Sequence, residues 1–369
     1  MKAGRPEITI TGPGLGGLLL LLAGCATSGP DASLPPGPDR PTGEPLPIVT
    51  GLPGPLSLTG WAEEDHLAAF LAYARTCGVA REAAAVRVCE RARSMQQTSR
   101  TVTPSMARAF FEAGFSVVAA ETADGGPGLL TAYFAPEYEA RRTPDEVFDT
   151  PVLARPEGWS RGWVGPERAE IEAGPPPSPP LAWMKAEDLF FLQIQGSGYL
   201  TFEDGARARA AYAADNGRPF VGIARPMAER GLLPANGTSG EAIRAWLATY
   251  RGPEARAITA LNTRYIYFAL DPDDAGDPAG AAGVPLPARR AIAIDPASWS
   301  YGDLVWISAD GGSLRGARAS YSGLVMALDT GSAIRGPVRA DLYMGRGPAA
   351  GDEAGAVRHP LRMWRLVPR

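Results

Sequence analysis

Two aspartates near the C-terminal end of this 369-residue chain have the spacing that chemistry needs. Asp329 closes an apolar run, Leu324 to Leu328, that reads as a buried strand. Asp341 follows twelve positions later, across the Gly-containing stretch Thr330-Gly-Ser-Ala-Ile-Arg-Gly-Pro-Val-Arg-Ala340. Two carboxylates at the ends of one tight loop can face the same cleft. One is then held protonated while the other stays charged, which is how acid/base chemistry runs near neutral pH. The plainer reading of the same spacing has Asp329 capping a turn and Asp341 solvated at a strand end.

Other chemistries find less in the chain. Gly12-Pro-Gly-Leu-Gly-Gly17 matches the dinucleotide fingerprint literally, but no strand precedes it and it lies within an N-terminal signal. There is no Walker loop and no Gly-x-Ser-x-Gly elbow; Gln195-Gly-Ser-Gly198 lacks the first glycine. The two histidines, His66 and His359, are far apart, which argues against a Ser-His-Asp triad and, with the cysteines otherwise employed, against a Cys/His metal cluster. No metal and no organic cofactor is implied. Asp329-Thr-Gly-Ser332 resembles the active-site signature of aspartic proteases. That chemistry needs two such aspartates sharing a proton, and no second Asp-Thr-Gly or Asp-Ser-Gly occurs.

The elements that must position the two acids follow from periodicity. Trp61 to Thr76 carries Leu67, Phe70, Leu71 and Ala74 at helical spacing, Val79 to Ser94 reads as helical, and Thr103-Pro104 opens a further helix that Gly114 closes. Phe115 to Ala120 and Leu129 to Phe134 read as strands about the Asp124-Gly-Gly126 turn. Residues 137–253 differ in character, with a Pro-rich loop (Gly174 to Pro180), an apolar run read as a strand (Leu189 to Gln195) and a helix at Ser239 to Tyr250. They read as a second, mostly β domain inserted into the first. Strands then resume at Tyr265 to Leu270, Ala291 to Ile294, Leu304 to Ile307, Leu324 to Leu328, Leu342 to Met344 and Met363 to Val367, separated by a polar surface loop at Asp271 to Pro287. Short strands at this spacing suggest a small closed barrel built from 56–136 and 254–369. Thr131, Tyr133, Gln193 and Gln195 are polar or amphipathic residues on segments read as strands, and can line a groove as readily as they can pack.

The N-terminus adds a location. Lys2 and Arg5 precede Leu15 to Leu22, an apolar core too short to span a membrane, so residues 1–24 read as a secretory signal. Leu22-Ala-Gly-Cys25 resembles the bacterial lipobox, which implies a lipidated Cys25, and Ala26 after it points to the outer membrane. Residues 25–55 are too rich in Pro and Gly to bury a core and read as a tether. The body behind them is ordinary for a globular protein, with 45% hydrophobic and 21% charged residues over the whole chain. A net charge of −4 argues against a broad nucleic-acid surface. In an exported chain Cys77 and Cys89, either side of a turn at Gly78, are a possible disulfide; two small buried thiols are the alternative.

Several segments, in order, resemble the MltA-type lytic murein transglycosylases, a family with a C-terminal 3D domain. They are Thr131-Ala-Tyr-Phe-Ala-Pro136 with Glu139-Ala-Arg141, then Phe191-Leu-Gln-Ile-Gln-Gly-Ser-Gly-Tyr199, then Asn262 to Phe268, Gly283 to Pro287 and Arg290 to Pro296. Ala327 to Gly336 and Ala340-Asp-Leu-Tyr-Met-Gly345 complete the series. The resemblance covers roughly Leu56 to Val367. It implies a mainly β fold with a few helices, a double-psi β-barrel interrupted by the inserted β-rich domain, with glycan bound between them. It places the family's catalytic aspartate at Asp341, with Asp329 as a second acid in a supporting role, although Ser332 departs from the glycine often found there. The implied activity is cleavage of the MurNAc-β-1,4-GlcNAc bond of peptidoglycan to 1,6-anhydro-muramoyl ends. Thr131, Tyr133, Gln193 and Gln195 would then line a sugar groove, and Tyr343 would stack on a sugar face. The partners are peptidoglycan glycan strands and a lipid anchor, for a monomer at the periplasmic face of the outer membrane. A non-catalytic glycan-binding lipoprotein on the same scaffold is the alternative.

Overall fold

The computed structural model describes residues 51–99, 101–233, 240–274 and 276–369. The signal, Cys25 and the tether up to residue 50 lie outside the described residues. Three helices open the fold: α1 (His66–Thr76), α2 (Ala83–Thr98) and α3 (Pro104–Gly114), followed by β1 (Phe115–Ala120) and β2 (Gly128–Ala135). An inserted body carries β3 (Glu137–Glu139), β4 (Thr150–Val152), α4 (Arg168–Ala173), β5 (Ala182–Met184), α5 (Ala186–Gln195), β6 (Gly198–Thr201), β7 (Arg207–Asp215), α6 (Ala224–Glu229), α7 (Gly240–Thr249), α8 (Pro253–Thr259) and β8 (Ile266–Pro272). The chain returns through β9 (Ala291–Ile294), β10 (Leu304–Asp310), β11 (Ser320–Thr330), β12 (Arg339–Arg346), α9 (Gly347–Gly355) and β13 (Arg358–Pro368).

Six strands close a barrel in the order β13, β10, β11, β9, β12, β2 and back to β13, with β1 added outside on β13. The pairs β9–β11 and β2–β12 are parallel and the others antiparallel. Side chains alternate across each strand, so every strand supplies both faces of the wall. Leu130, Ile292, Val305, Val325, Leu342 and Leu361, one from each strand, form a single packed cluster that fills the lumen. The opposite set, including Ala291, Ala293, Leu324, Met326 and Trp306, packs outward against Trp61, Phe70 and Phe111 of the helical layer.

That layer is fixed at its ends by local chemistry. Asp65 accepts from the Ala68 amide at 3.0 Å at the start of α1, and Thr103 accepts from the Met106 amide at 3.3 Å, with Pro104 in the first turn of α3. A Cys77–Cys89 disulfide, with its Cα atoms 5.5 Å apart, ties α2 to the end of α1. Residues 51–55, read as the end of the tether, belong to the fold: the Pro53 carbonyl accepts from the Val117 amide of β1, and Pro55 is buried.

The inserted body departs from its expected form. It has a four-stranded sheet, β3-β6-β7-β8, and a β4–β5 pair, but also α4 to α8, so it is mixed rather than mostly β. The run Leu189 to Gln195 is helical, part of α5. A short apolar run fits a buried strand or a buried helix equally by periodicity. The deciding signals are Glu187 and Asp188 in the first turn and Gly196 at φ 82° just past the end, the left-handed cap that glycine adopts freely. The strand from Ile266 joins β7 in this sheet and does not enter the barrel. The segment 271–287 is not a free polar loop either: Ala282 and Leu286 are buried, and Asp273 accepts from Arg346 of β12.

Candidate active site

Strand register brings the two acids together. Asp329 of β11 and Asp341 of β12 both pair with Ala293, one on each side of β9. Residues opposite one another in a sheet share a face, so both carboxyls emerge beside Ala293 on the outward side of the barrel wall. An irregularity in β11 between Ala327 and Asp329 sets this register: one residue is skipped, and Asp329 turns to the face it needs. Both are buried, Asp329 at 0% and Asp341 at 1% exposure.

The two carboxyls are held differently. Asp329 accepts three hydrogen bonds: Tyr133 Oη to Oδ2 at 2.7 Å, and the amides of Ala281 and Thr330 to Oδ1, each at 2.9 Å. Asp341 accepts one, from the Thr131 hydroxyl to Oδ1, while its Oδ2 is buried with no hydrogen-bond partner. Burial pushes each up to about 6 from the ordinary aspartate range. At Asp329 the three donors oppose that rise and the Asp341 charge adds to it; at Asp341 the Arg339 guanidinium and Thr131 oppose it. Asp329 thus has its lone pairs committed to fixed donors, whereas Asp341 keeps an oxygen available to give and take a proton.

The other sequence-derived residues divide. Thr131, in register with Asp341 on the parallel strand β2, is a partner of the acid itself. Tyr133, 4% exposed, is the phenol donor to Asp329, so both β2 residues serve the carboxyls, while Thr131 also lines the groove described below. Tyr343 is fully buried with its ring 5.3 Å from that of Tyr133, so it presents no face to a ligand. Gln193 is buried on α5 and donates to the Ile266 carbonyl, joining α5 to β8. Gln195 does line a groove, of about 640 Å³, between β2 and α9 on one side and β3, α5 and α7 on the other. Thr131, Phe134, Tyr138, Phe191 and Arg244 also line it, mixing aromatic surface with polar groups. A larger cavity, about 820 Å³, lies by α1 and β11 and includes neither acid. Three contributors escaped the sequence reading: Arg339, the Ala281 amide and α9. Arg339 alone left a signal, two residues before Asp341 and so on the same strand face.

The chain is similar to known proteins in both sequence and fold. Residues 129–269 match the model of the MltA specific insert domain, and residues 290–367 that of the 3D domain. A membrane-bound lytic murein transglycosylase A of Vibrio cholerae serotype O1 is 34% identical over 266 residues, 69% of this chain and 70% of that protein. The structure of MltA from Neisseria gonorrhoeae superposes with a TM-score of 0.74 at 27% identity, covering 90% of this chain and 98% of the other. That of E. coli MltA with bound chitohexaose superposes with a TM-score of 0.64 at 28% identity, covering 87% and 92%.

Proposed function

Because the chain belongs to the MltA family of lytic murein transglycosylases, we propose that it cleaves the MurNAc-β-1,4-GlcNAc bond of peptidoglycan with Asp341 as its single acid and base. The observation that carries this reading is the asymmetry of the two carboxyls: only Asp341 has an oxygen free of hydrogen bonds. Burial raises the pKa of Asp341 to about 6, and in its protonated form Asp341 gives its proton to the glycosidic oxygen as the C1–O bond breaks. The carboxylate left behind takes the proton of the muramoyl C6 hydroxyl as that oxygen attacks C1. The proton count balances, no water enters, and the product carries a 1,6-anhydro ring. One carboxyl suffices because the nucleophile is part of the substrate and already close. With Asp341 only 1% exposed, the groove wall beside Thr131 must part as the glycan enters.

Asp329, anchored by its three donors, is the supporting acid, held in place beside Asp341 on the same face of the wall. Gln195 and the aromatic lining of the groove support glycan binding there, and the chitohexaose held by the E. coli relative fits that use. The two parallel strand pairs support the double-psi reading of the barrel. No helix among the described residues is long and apolar enough to cross a membrane, and the relative's name describes a membrane-bound protein. A lipid on Cys25, with the enzyme a monomer at the periplasmic face of the outer membrane, is the attachment we propose. Digestion of purified sacculi by a protein lacking residues 1–25 tests the function. Mass spectrometry should find anhydro-muropeptides from the wild type and none from Asp341→Asn. Sacculi bound but left intact by the wild type would make this a glycan-binding lipoprotein instead.

A further inference from the structure

We infer that Arg339 is a positioning residue: through Thr131 it confines the transferable proton of Asp341 to Oδ2. The inference rests on the reading of Asp341 as the proton donor. Arg339 is 7% exposed, and its guanidinium is fixed by donating from Nη1 to the carbonyls of Leu129 (3.3 Å) and Ala340 (2.6 Å). Its Nη2 donates to Thr131 Oγ1 at 3.0 Å, and Thr131 Oγ1 lies against Asp341 Oδ1.

The direction of this chain follows from counting protons. A guanidinium has donors and no acceptor, so Thr131 receives its bond. A hydroxyl has one proton, and with a lone pair occupied by Arg339 that proton points to Asp341 Oδ1. Oδ1 is therefore an acceptor in both states of the carboxyl, because a proton there would meet the Thr131 proton head on. The carboxyl proton has one place left, Oδ2, the oxygen with no partner. Without the guanidinium, Thr131 could turn and accept from a protonated Oδ1, and the proton would face the strand instead of the substrate. After transfer, the same donors strengthen on the new carboxylate. The strands supply the geometry: Arg339 and Asp341 are alternate residues on one face of β12, and Thr131 stands opposite Asp341 on β2.

The test is the pH dependence of muropeptide release by wild type, Thr131→Val, Thr131→Ser, Arg339→Met and the Thr131→Val/Arg339→Met double variant. Other charged or titratable groups near the acid are Asp329 on β11 and Tyr133 on β2. Across and around the groove stand Glu137, Glu241, Arg244, Arg315, Asp352 and Arg358, all unchanged in these variants. The acid must be protonated, so the rate falls as pH rises past its pKa. Both Arg339 and the Thr131 bond favour the carboxylate, so removing either moves that alkaline limb upward, by about half a unit or more. Each removal also lowers kcat, about tenfold, with KM little changed. Acting in series, the two losses of kcat are not additive, and the double variant matches the larger single one. Thr131→Ser restores the wild-type limb. In infrared difference spectra, the carbonyl band of protonated Asp341, identified by its absence in Asp341→Asn, moves to higher wavenumber in Thr131→Val. Additive losses of kcat in the double variant, or an unmoved carbonyl band, overturn the inference; shifts of the limb can add, because the Arg339 charge also acts on Asp341 directly. Full activity of Asp341→Asn would instead remove the reading beneath it, while the infrared band still reports the hydroxyl's direction.

Discussion

Asp329 and Asp341 lie on one face of one wall, equally buried, and what separates them is the number of donors each one meets. The proton carrier should be the less committed of the two. Asp341→Asn is expected to reduce turnover by about 10³-fold or more, within the range for loss of a general acid, and Asp329→Asn by about 10- to 100-fold. Initial rates of muropeptide release decide this, and equal losses would mean that the acids share the proton. Burial of Asp341 also has a cost in stability. Its folded pKa, near 6, stands above the unfolded value of about 3.9, so the folded state binds the proton more tightly. Its contribution is therefore full below about pH 4 and declines as pH rises through about 6. Asp341→Asn should stabilise the protein at pH 8, on the order of 1–3 kcal/mol, and hardly change it at pH 4. Thermal unfolding at the two pH values measures the difference.

Around these residues the elements act through register and close approach. Gly280 shows how narrow the fit is: a Cβ there would sit 2.5 Å from the Leu328 carbonyl and 3.3 Å from Asp329 Cβ. Gly280→Ala must push the neighbouring Ala281 amide off Asp329. It should cost about 1–3 kcal/mol and reduce kcat, as urea denaturation and rate measurements on the same preparation would show. The barrel strands were legible in the sequence because they are short apolar runs, such as Ala291 to Ile294 and Leu304 to Ile307, separated by turn residues. Leu324 to Leu328 and Leu342 to Met344 are both strands, each extended by neighbours with weaker patterns. The helix at Leu189 was not legible, because LFFLQIQ carries no period that distinguishes it from a strand. Nor could the sequence place Asp329 opposite Ala293, since that depends on a one-residue irregularity in β11. The sequence named Thr131 and Tyr133 as groove-lining residues; their hydrogen bonds to the acids depend on pairings 210 and 196 residues apart in sequence.

At the scale of the molecule, a packed barrel presents one outer wall to an inserted mixed domain, and the groove between them meets the acid at Thr131. The helical layer has a different task, covering another part of the wall, and its disulfide touches neither acid. Replacing Cys77 and Cys89 by serine should lower stability by about 2–4 kcal/mol and leave kcat unchanged, as calorimetry beside a sacculus assay would show. The central claim is that one carboxyl moves one proton out and one proton back while water stays out of the reaction. Digestion of sacculi in oxygen-18 water tests it most directly, with the new glycan ends read by mass spectrometry. The account predicts 1,6-anhydro ends without the heavy isotope from the wild type, and no new ends from Asp341→Asn. Reducing ends carrying oxygen-18 would contradict it and make Asp329 the base of a hydrolase.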